Sequence, residues 1–227
     1  MNRSSRVYIA GHTGLLGSAL LRRLETDGYT NVIAWTHAEL DLTDGVAVRA
    51  AFQAERPEYV VLAAARVGGI WANDSYRAEF IHANLAIQTT VIDAAYRAGV
   101  SRLLFFGSNC AYPKDGPQPM DEEHLLTGSL EPTSEAYAVA KIAGMAMCDA
   151  YNRQYGSSFV SLIPPTLFGP GDHFQLGSSH VVSALIDRFD RARERGQPSV
   201  EVWGTGTQRR EFMYVDDLAD ACIIVLG

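Results

Sequence analysis

The chain has 227 residues, 47% hydrophobic and 20% charged, with a formal net charge of −7, which fits a soluble globular protein with a sizeable buried core. Its acidity argues against nonspecific nucleic-acid binding, which needs cationic contacts to phosphates. No apolar run approaches the ~18 residues that span a bilayer, polar Met1–Arg6 leaves no room for a signal peptide, and Cys110, Cys148 and Cys222 lack the paired spacing of a disulfide framework or zinc site. A reduced, cytoplasmic protein without a metal, a membrane or a nucleic-acid partner is expected.

Val7–Ala10 reads as a strand, followed by a glycine-rich turn and a helical pattern from about Leu15 to Leu24. Asn31–Trp35 reads as a second strand, Val46–Gln53 as helix, and Tyr59–Ala63 as the next strand after Pro57. Apolar residues at helical spacing run over Phe80–Arg97. Leu103–Phe106 is a continuous apolar run, as in a strand buried on both faces. Ser134–Tyr155 reads as a long helix with Ser134 as N-cap, and Phe159–Ile163 as another strand. From Pro164 to His180 the pattern loosens, then Val181–Arg195 is a charged amphipathic helix. Glu201–Trp203 and Phe212–Tyr214 read as short strands, and Val215–Leu226 as a last helix. This alternation predicts an α/β fold, a doubly wound parallel sheet of Rossmann type. Residues 1–165 form the dinucleotide-binding part. Residues 166–227 begin a smaller, incomplete substrate-binding part and end in a strand and helix that return to the first.

The first strand runs into Gly11-His12-Thr13-Gly14-Leu15-Leu16-Gly17. Glycines at this spacing, between a strand and a helix, suit a dinucleotide. The first permits the tight turn, the second lets backbone approach the pyrophosphate, and the third lets helix pack on strand. The helix N-terminus then faces the phosphates. An acid about 20 residues further on would hold the 2′-hydroxyl of NAD. Here Trp35-Thr36-His37 carries no carboxylate, and Glu39 and Asp41 come late. The pattern leans towards NADP.

Tyr137-Ala138-Val139-Ala140-Lys141 puts a phenol and an ammonium on one helix face. A neighbouring cation would stabilise the phenolate and bring proton transfer within reach. Ser108 follows the strand Leu103–Phe106 at the sheet edge where α/β proteins bind ligands, placed to hydrogen-bond a substrate carbonyl.

Together these elements resemble the extended short-chain dehydrogenase/reductase superfamily. The resemblance sharpens to the GDP-L-fucose synthases over Ala63–Ile70, Gly107–Pro113, Gln118–Met120, Tyr151–Gly156, Phe168–Pro170, Trp203–Gly206 and Arg210–Phe212. It runs from residue 6 to residue 227. It implies NADPH-dependent epimerisation at C3 and C5 and reduction at C4 of GDP-4-keto-6-deoxy-D-mannose. By that resemblance Cys110 and His180 exchange protons with C3 and C5. Ser108 and Tyr137 steady the enolate, Tyr137 protonates the C4 oxygen, and Lys141 supports Tyr137. The NADP(H) contacts fall on residues 11–17, His37, Asp41, Leu42, Phe106, Gly107, Lys141, Pro164, Pro165, Thr166, Leu167 and His180. Arg188, Trp203 and Arg210 match substrate-contact positions, and arginine suits a diphosphate. A homodimer is expected.

Thr13 and His37 stand where bacterial relatives often carry arginines, Asn109 replaces a usual serine, and Pro165-Thr166 replaces a usual Thr-Asn. The family continues for roughly 90 further residues, most of its smaller domain, so a truncated chain is expected. Two alternatives stand beside this reading: a 4-ketoreductase or epimerase of another nucleotide sugar, and a noncatalytic NADP-binding relative.

Overall fold

The structure is a computed structural model and describes residues 1–174, 179–202 and 204–227. Five parallel strands form its central sheet in the order β2-β1-β3-β4-β5. They are β1 (Val7–Ala10), β2 (Val32–Ile33), β3 (Tyr59–Leu62), β4 (Arg102–Phe106) and β5 (Phe159–Leu162). Residues 7–10 of β1 pair with residues 59–62 of β3, so their C-terminal ends lie level. The chain starts in the middle of the sheet, moves to one side, then crosses to the other. The reversal between β1 and β3 opens a crevice at the strand ends.

Helices cover both faces, which is why β1 and β4 read as unbroken apolar runs. One cluster packs α2 (Gly45–Glu55), α4 (Arg77–Ala98) and α5 (Glu135–Tyr155) on Tyr8, Val60, Leu103 and Phe105. The other packs α1 (Leu15–Thr26) and α7 (Val215–Leu226) on Val7, Ile9, Val61 and Leu104. A short α3 (Ile70–Ser75) follows β3, and α6 (Val181–Glu194) precedes the last strand. Asp44 starts α2 by accepting hydrogen bonds from the backbone of Val46 and Ala47 at 2.9 and 3.1 Å. Gly99 and Gly156 end α4 and α5 in the left-handed conformation, which glycine adopts without the strain an L side chain would bring. Among the described residues, no helix is long and apolar enough to cross a membrane.

The doubly wound Rossmann-type α/β fold read from the sequence is the one observed. Its details differ. The second strand is only Val32–Ile33, because Trp35 has left the ladder to pack on Tyr8 at 4.8 Å between ring centroids. Ser134 is the N-cap of α5 but makes no side-chain capping bond. Glu201 and Val202 are not a strand. Instead β7 (Phe212–Tyr214) pairs with β6 (Thr166–Phe168), a strand hidden in the sequence by the surrounding prolines and glycines. Trp203 lies outside the described residues.

Candidate active site

At the end of β1 the chain turns through Gly11–Gly14 into α1. Gly11 sits at φ 87, and a Cβ there would lie 2.7 Å from backbone atoms of Ala64, so the turn touches the segment after β3. A Cβ on Gly17 would lie 2.0 Å from the Gly11 carbonyl oxygen, so Gly17 allows α1 to close on the turn. Gly14 is different. The nearest atom to its Cβ position is 3.5 Å away, and as N-cap of α1 it offers the first N–H groups no side-chain bond. The positive end of α1 is therefore available to an anion. The Nδ1 of His12 is buried without a hydrogen-bond partner, the kind of polar atom that calls for one. A cradle that excludes side chains, an uncapped helix end and an orphaned imidazole nitrogen fit a dinucleotide. Thr13 is exposed at the turn, Leu15 is half-buried, and Leu16 packs into the core.

The loop after β2 carries His37, Asp41 and Leu42. His37 is exposed, with its Nδ1 3.8 Å from an oxygen of Asp41. Asp41 accepts hydrogen bonds from the backbone and hydroxyl of Thr43, which hold its carboxyl below the usual range. Leu42 is buried, and its carbonyl accepts from the Thr90 hydroxyl. Glu39 sits closer to the strand end than its sequence position suggests. It folds back to accept from the backbone and hydroxyl of Thr36, both at 2.8 Å.

The reaction centre forms where β4 ends. Phe106 and Gly107 are buried, and a Cβ on Gly107 would lie 2.8 Å from Met145 of α5. Ser108 caps a short 3-10 turn, Asn109–Ala111, accepting from the Cys110 backbone N–H at 3.3 Å. Cys110 is half-buried, its thiol 3.8 Å from the Asn109 side-chain oxygen. From α5, Lys141 is 5% exposed and donates to the Phe106 carbonyl at 2.8 Å. Its ammonium lies 4.9 Å from the Phe105 ring centroid and 5.7 Å from that of Tyr137. Burial lowers this ammonium to about 8.

Tyr137 behaves differently from the sequence expectation of a lowered phenol. Burial raises it, the charge of Cys110 raises it further, and a hydrogen bond with Ser108 opposes them. Desolvation is the largest of these effects, and the phenol is held as a proton donor. Ser108, Cys110, Tyr137 and Lys141 are thus gathered at one strand end.

The other expected residues follow β5 in the chain. Pro164, Pro165, Thr166 and Leu167 are half-buried, the last two within β6. His180 is the exposed N-cap of α6, and among the described residues no hydrogen bond joins its ring to Cys110. Arg188 donates to the Glu201 carbonyl at 3.2 Å beside a cavity of about 600 Å³ that Arg191, Arg195 and Gln197 also line. Arg210 is exposed and donates to the neighbouring Arg209 carbonyl at 2.8 Å.

Two residues went unread in the sequence: Asn84 and Gln88, 2% and 3% exposed on α4. Asn84 clamps Arg66, accepting from its N–H at 2.9 Å and donating to its carbonyl at 3.0 Å. Gln88 donates to the Ala140 carbonyl at 2.7 Å. Amides four apart among apolar helix positions were the available sign.

The model of the NAD dependent epimerase/dehydratase family matches residues 7–227. The chain is similar to GDP-L-fucose synthase 1 of Arabidopsis thaliana, 54% identical over 225 residues, covering 99% of this chain and 70% of that protein. It is similar to GDP-L-fucose synthase of Escherichia coli (strain K12), 51% identical, covering 97% of this chain and 69% of that one. Among solved structures it is similar to a GDP-mannoheptose C4 reductase from Campylobacter jejuni with NADP bound. That likeness has a TM-score of 0.91 and 39% identity, covering 99% of this chain and 75% of the other.

Proposed function

Since this chain belongs to the NAD dependent epimerase/dehydratase family and stands beside GDP-L-fucose synthases within it, we propose that Ser108, Cys110, Tyr137, Lys141 and His180 carry out the GDP-L-fucose synthase reaction. The chain is an NADP-dependent oxidoreductase with epimerase activity, taking GDP-4-keto-6-deoxy-D-mannose to GDP-L-fucose. The observation that carries the residue roles is the convergence of Ser108, Cys110, Tyr137 and Lys141 at the end of β4.

The C4 ketone acidifies the hydrogens on C3 and C5. Cys110 removes them as thiolate, and His180 returns a proton from the opposite face. The Ser108 hydroxyl donates to the ketone oxygen and steadies the enolate. NADPH supplies the hydride for C4 when bound. Tyr137, protonated and half-buried, donates its proton to the C4 oxygen, and Lys141 favours the phenolate left behind. The cradle at Gly11–Gly17, with His37, Asp41 and Leu42, would hold the dinucleotide, and Phe106–Gly107 and Pro164–Leu167 its nicotinamide end. Arg188, Trp203 and Arg210 would hold the GDP-sugar. The division at residue 165, cofactor side before and substrate side after, belongs to the same reading.

We also place the protein in the cytoplasm, supported by three unpaired thiols, and as a homodimer. Tyr155, stacked on Tyr96 with ring centroids 4.3 Å apart yet 49% exposed, offers apolar surface on α5 for such contact. A second reading, C4 reduction of another GDP-sugar without epimerisation, is favoured by the likeness to the heptose reductase.

One experiment separates these readings. The 4-keto sugar nucleotide and NADPH are supplied in deuterated water, followed at the nicotinamide absorbance, with analysis of the product. The expected product is GDP-L-fucose with deuterium at C3 and C5. Cys110→Ser should keep reduction but yield an unlabelled D-configured 6-deoxyhexose. An L-sugar formed by that variant at the wild-type rate would make Cys110 a packed thiol only.

A further inference from the structure

We infer that Gln88 is a positioning residue for the Tyr137–Lys141 pair: its amide fixes the turn of α5 that carries both groups against the end of β4. The inference rests on the proposed roles of Tyr137 and Lys141.

Gln88 lies inside the α4–α5 contact at 3% exposure, where an apolar side chain would cost nothing in desolvation. Its Nε2 donates to the Ala140 carbonyl at 2.7 Å. Ala140 sits between the two reacting groups, three residues after Tyr137 and next to Lys141. Its carbonyl oxygen has two lone pairs, so it can serve the helix ladder and still receive Gln88.

The next turn of α5 shows how close the fit is. A Cβ on Gly144 would lie 2.8 Å from the Gln88 Oε1 and 2.3 Å from the Phe105 ring. Glycine at 144 thus lets α5 rest directly on the amide and the ring. The same Phe105 ring faces the Lys141 ammonium at 4.9 Å, and that ammonium makes its hydrogen bond to Phe106, one residue further along β4. Gln88, Gly144, Phe105 and Lys141 form one chain of contacts from α4 through α5 to the strand end. The amide fixes the position of α5 by a directional bond, and so fixes where Lys141 and Tyr137 meet β4.

A packing role alone would need only length and volume, which methionine supplies. A positioning role needs the donor. The test compares Gln88→Met and Gln88→Glu with wild type and with Tyr137→Phe. Glutamate keeps the shape, and burial against a carbonyl holds it protonated, so it can still donate. In Gln88→Met kcat for reduction should fall about 10- to 100-fold, the effect of a misplacement on the order of 1 Å, and Gln88→Glu should recover most of that loss at neutral pH. KM for NADPH should stay within about two-fold, because the cradle is untouched. The alkaline limb of the kcat–pH profile of Gln88→Met should also move, since the surroundings of Lys141 change. Wild-type kcat and pH profile in folded Gln88→Met overturns the inference, as does a loss expressed only in KM. Full activity in Tyr137→Phe would instead overturn the site reading itself. A dead Tyr137→Phe beside a normal Gln88→Met removes only the role of Gln88.

Discussion

The groups gathered at the end of β4 and those between residues 180 and 210 are held in opposite ways. Lys141 is buried and bonded to the backbone of a central strand, Ser108 caps its own turn, and Tyr137 is desolvated beside both. His180 and Arg210 lie on the surface, and among the described residues Arg210 bonds to the carbonyl next to it. Reduction tolerates little misplacement of its proton donor, so Tyr137 and Lys141 are set by packing before any ligand arrives, whereas His180, in the proposed epimerisation, settles with the substrate. Recognition of a charged, flexible sugar nucleotide tolerates side chains that settle on binding. The difference teaches which kinetic constant each region should control.

Tyr137→Phe is the most severe challenge to that division. It keeps the ring and removes the proton donor, so reduction should fall at least ~10²-fold with NADPH affinity unchanged by fluorescence titration. A variant with near-normal turnover would leave the packed centre without its acid. Arg210→Ala should act on recognition instead. KM for the GDP-sugar should rise about ten-fold, the loss of a charge-assisted hydrogen bond, with kcat little altered in steady-state assays. A fall in kcat alone would show that Arg210 enters the chemistry.

The smallest effect sharpens the comparison through stability. Folded Lys141 releases its proton at about 8, against 10.5 when unfolded. Below pH 8 both states carry the proton and the folded one bears the full penalty of a buried charge. Between about 8 and 10.5 only the unfolded chain stays protonated, so stability rises with pH. Relative to Lys141→Met, wild type should gain about 1 kcal/mol between pH 7 and pH 9 in urea titrations. A flat difference would mean that Lys141 is not held as described. The buried thiols Cys148 and Cys222, each pushed up to about 12 by burial, act in the opposite sense above pH 9. They are common to both proteins and cancel in the comparison.

What could be read in the sequence follows from the same contrast. β1 and β4 are buried on both faces, and such strands must be continuous apolar runs. Gly11 and Gly17 stand where backbone meets backbone, a constraint only glycine meets. Ser108, Tyr137 and Lys141 are tied to those elements, so locating the elements located them. The raised phenol of Tyr137 was not legible, because desolvation depends on what packs around a residue rather than on what lies near it in the chain. Glu39 looked too distant from β2 because a loop that doubles back leaves no periodic trace. β6 was hidden because its partner, β7, lies more than forty residues later. Gln88 leaves no sign of its burial in the sequence, because an amide in a long helix ordinarily faces water.

The two faces of the sheet also differ in when they can be completed. One buried cluster draws on residues between Tyr8 and Phe159, whereas the other needs α7, as far as Leu226. At synthesis rates of about 5–20 residues per second, the second face trails the first by roughly 3–13 s. During that interval Leu20, Leu24 and Leu104 lack the helix that covers them. A growing chain therefore presents a half-finished, apolar sheet to its surroundings on the ribosome, and chaperones that bind such surfaces have a window set by the place of α7 in the sequence.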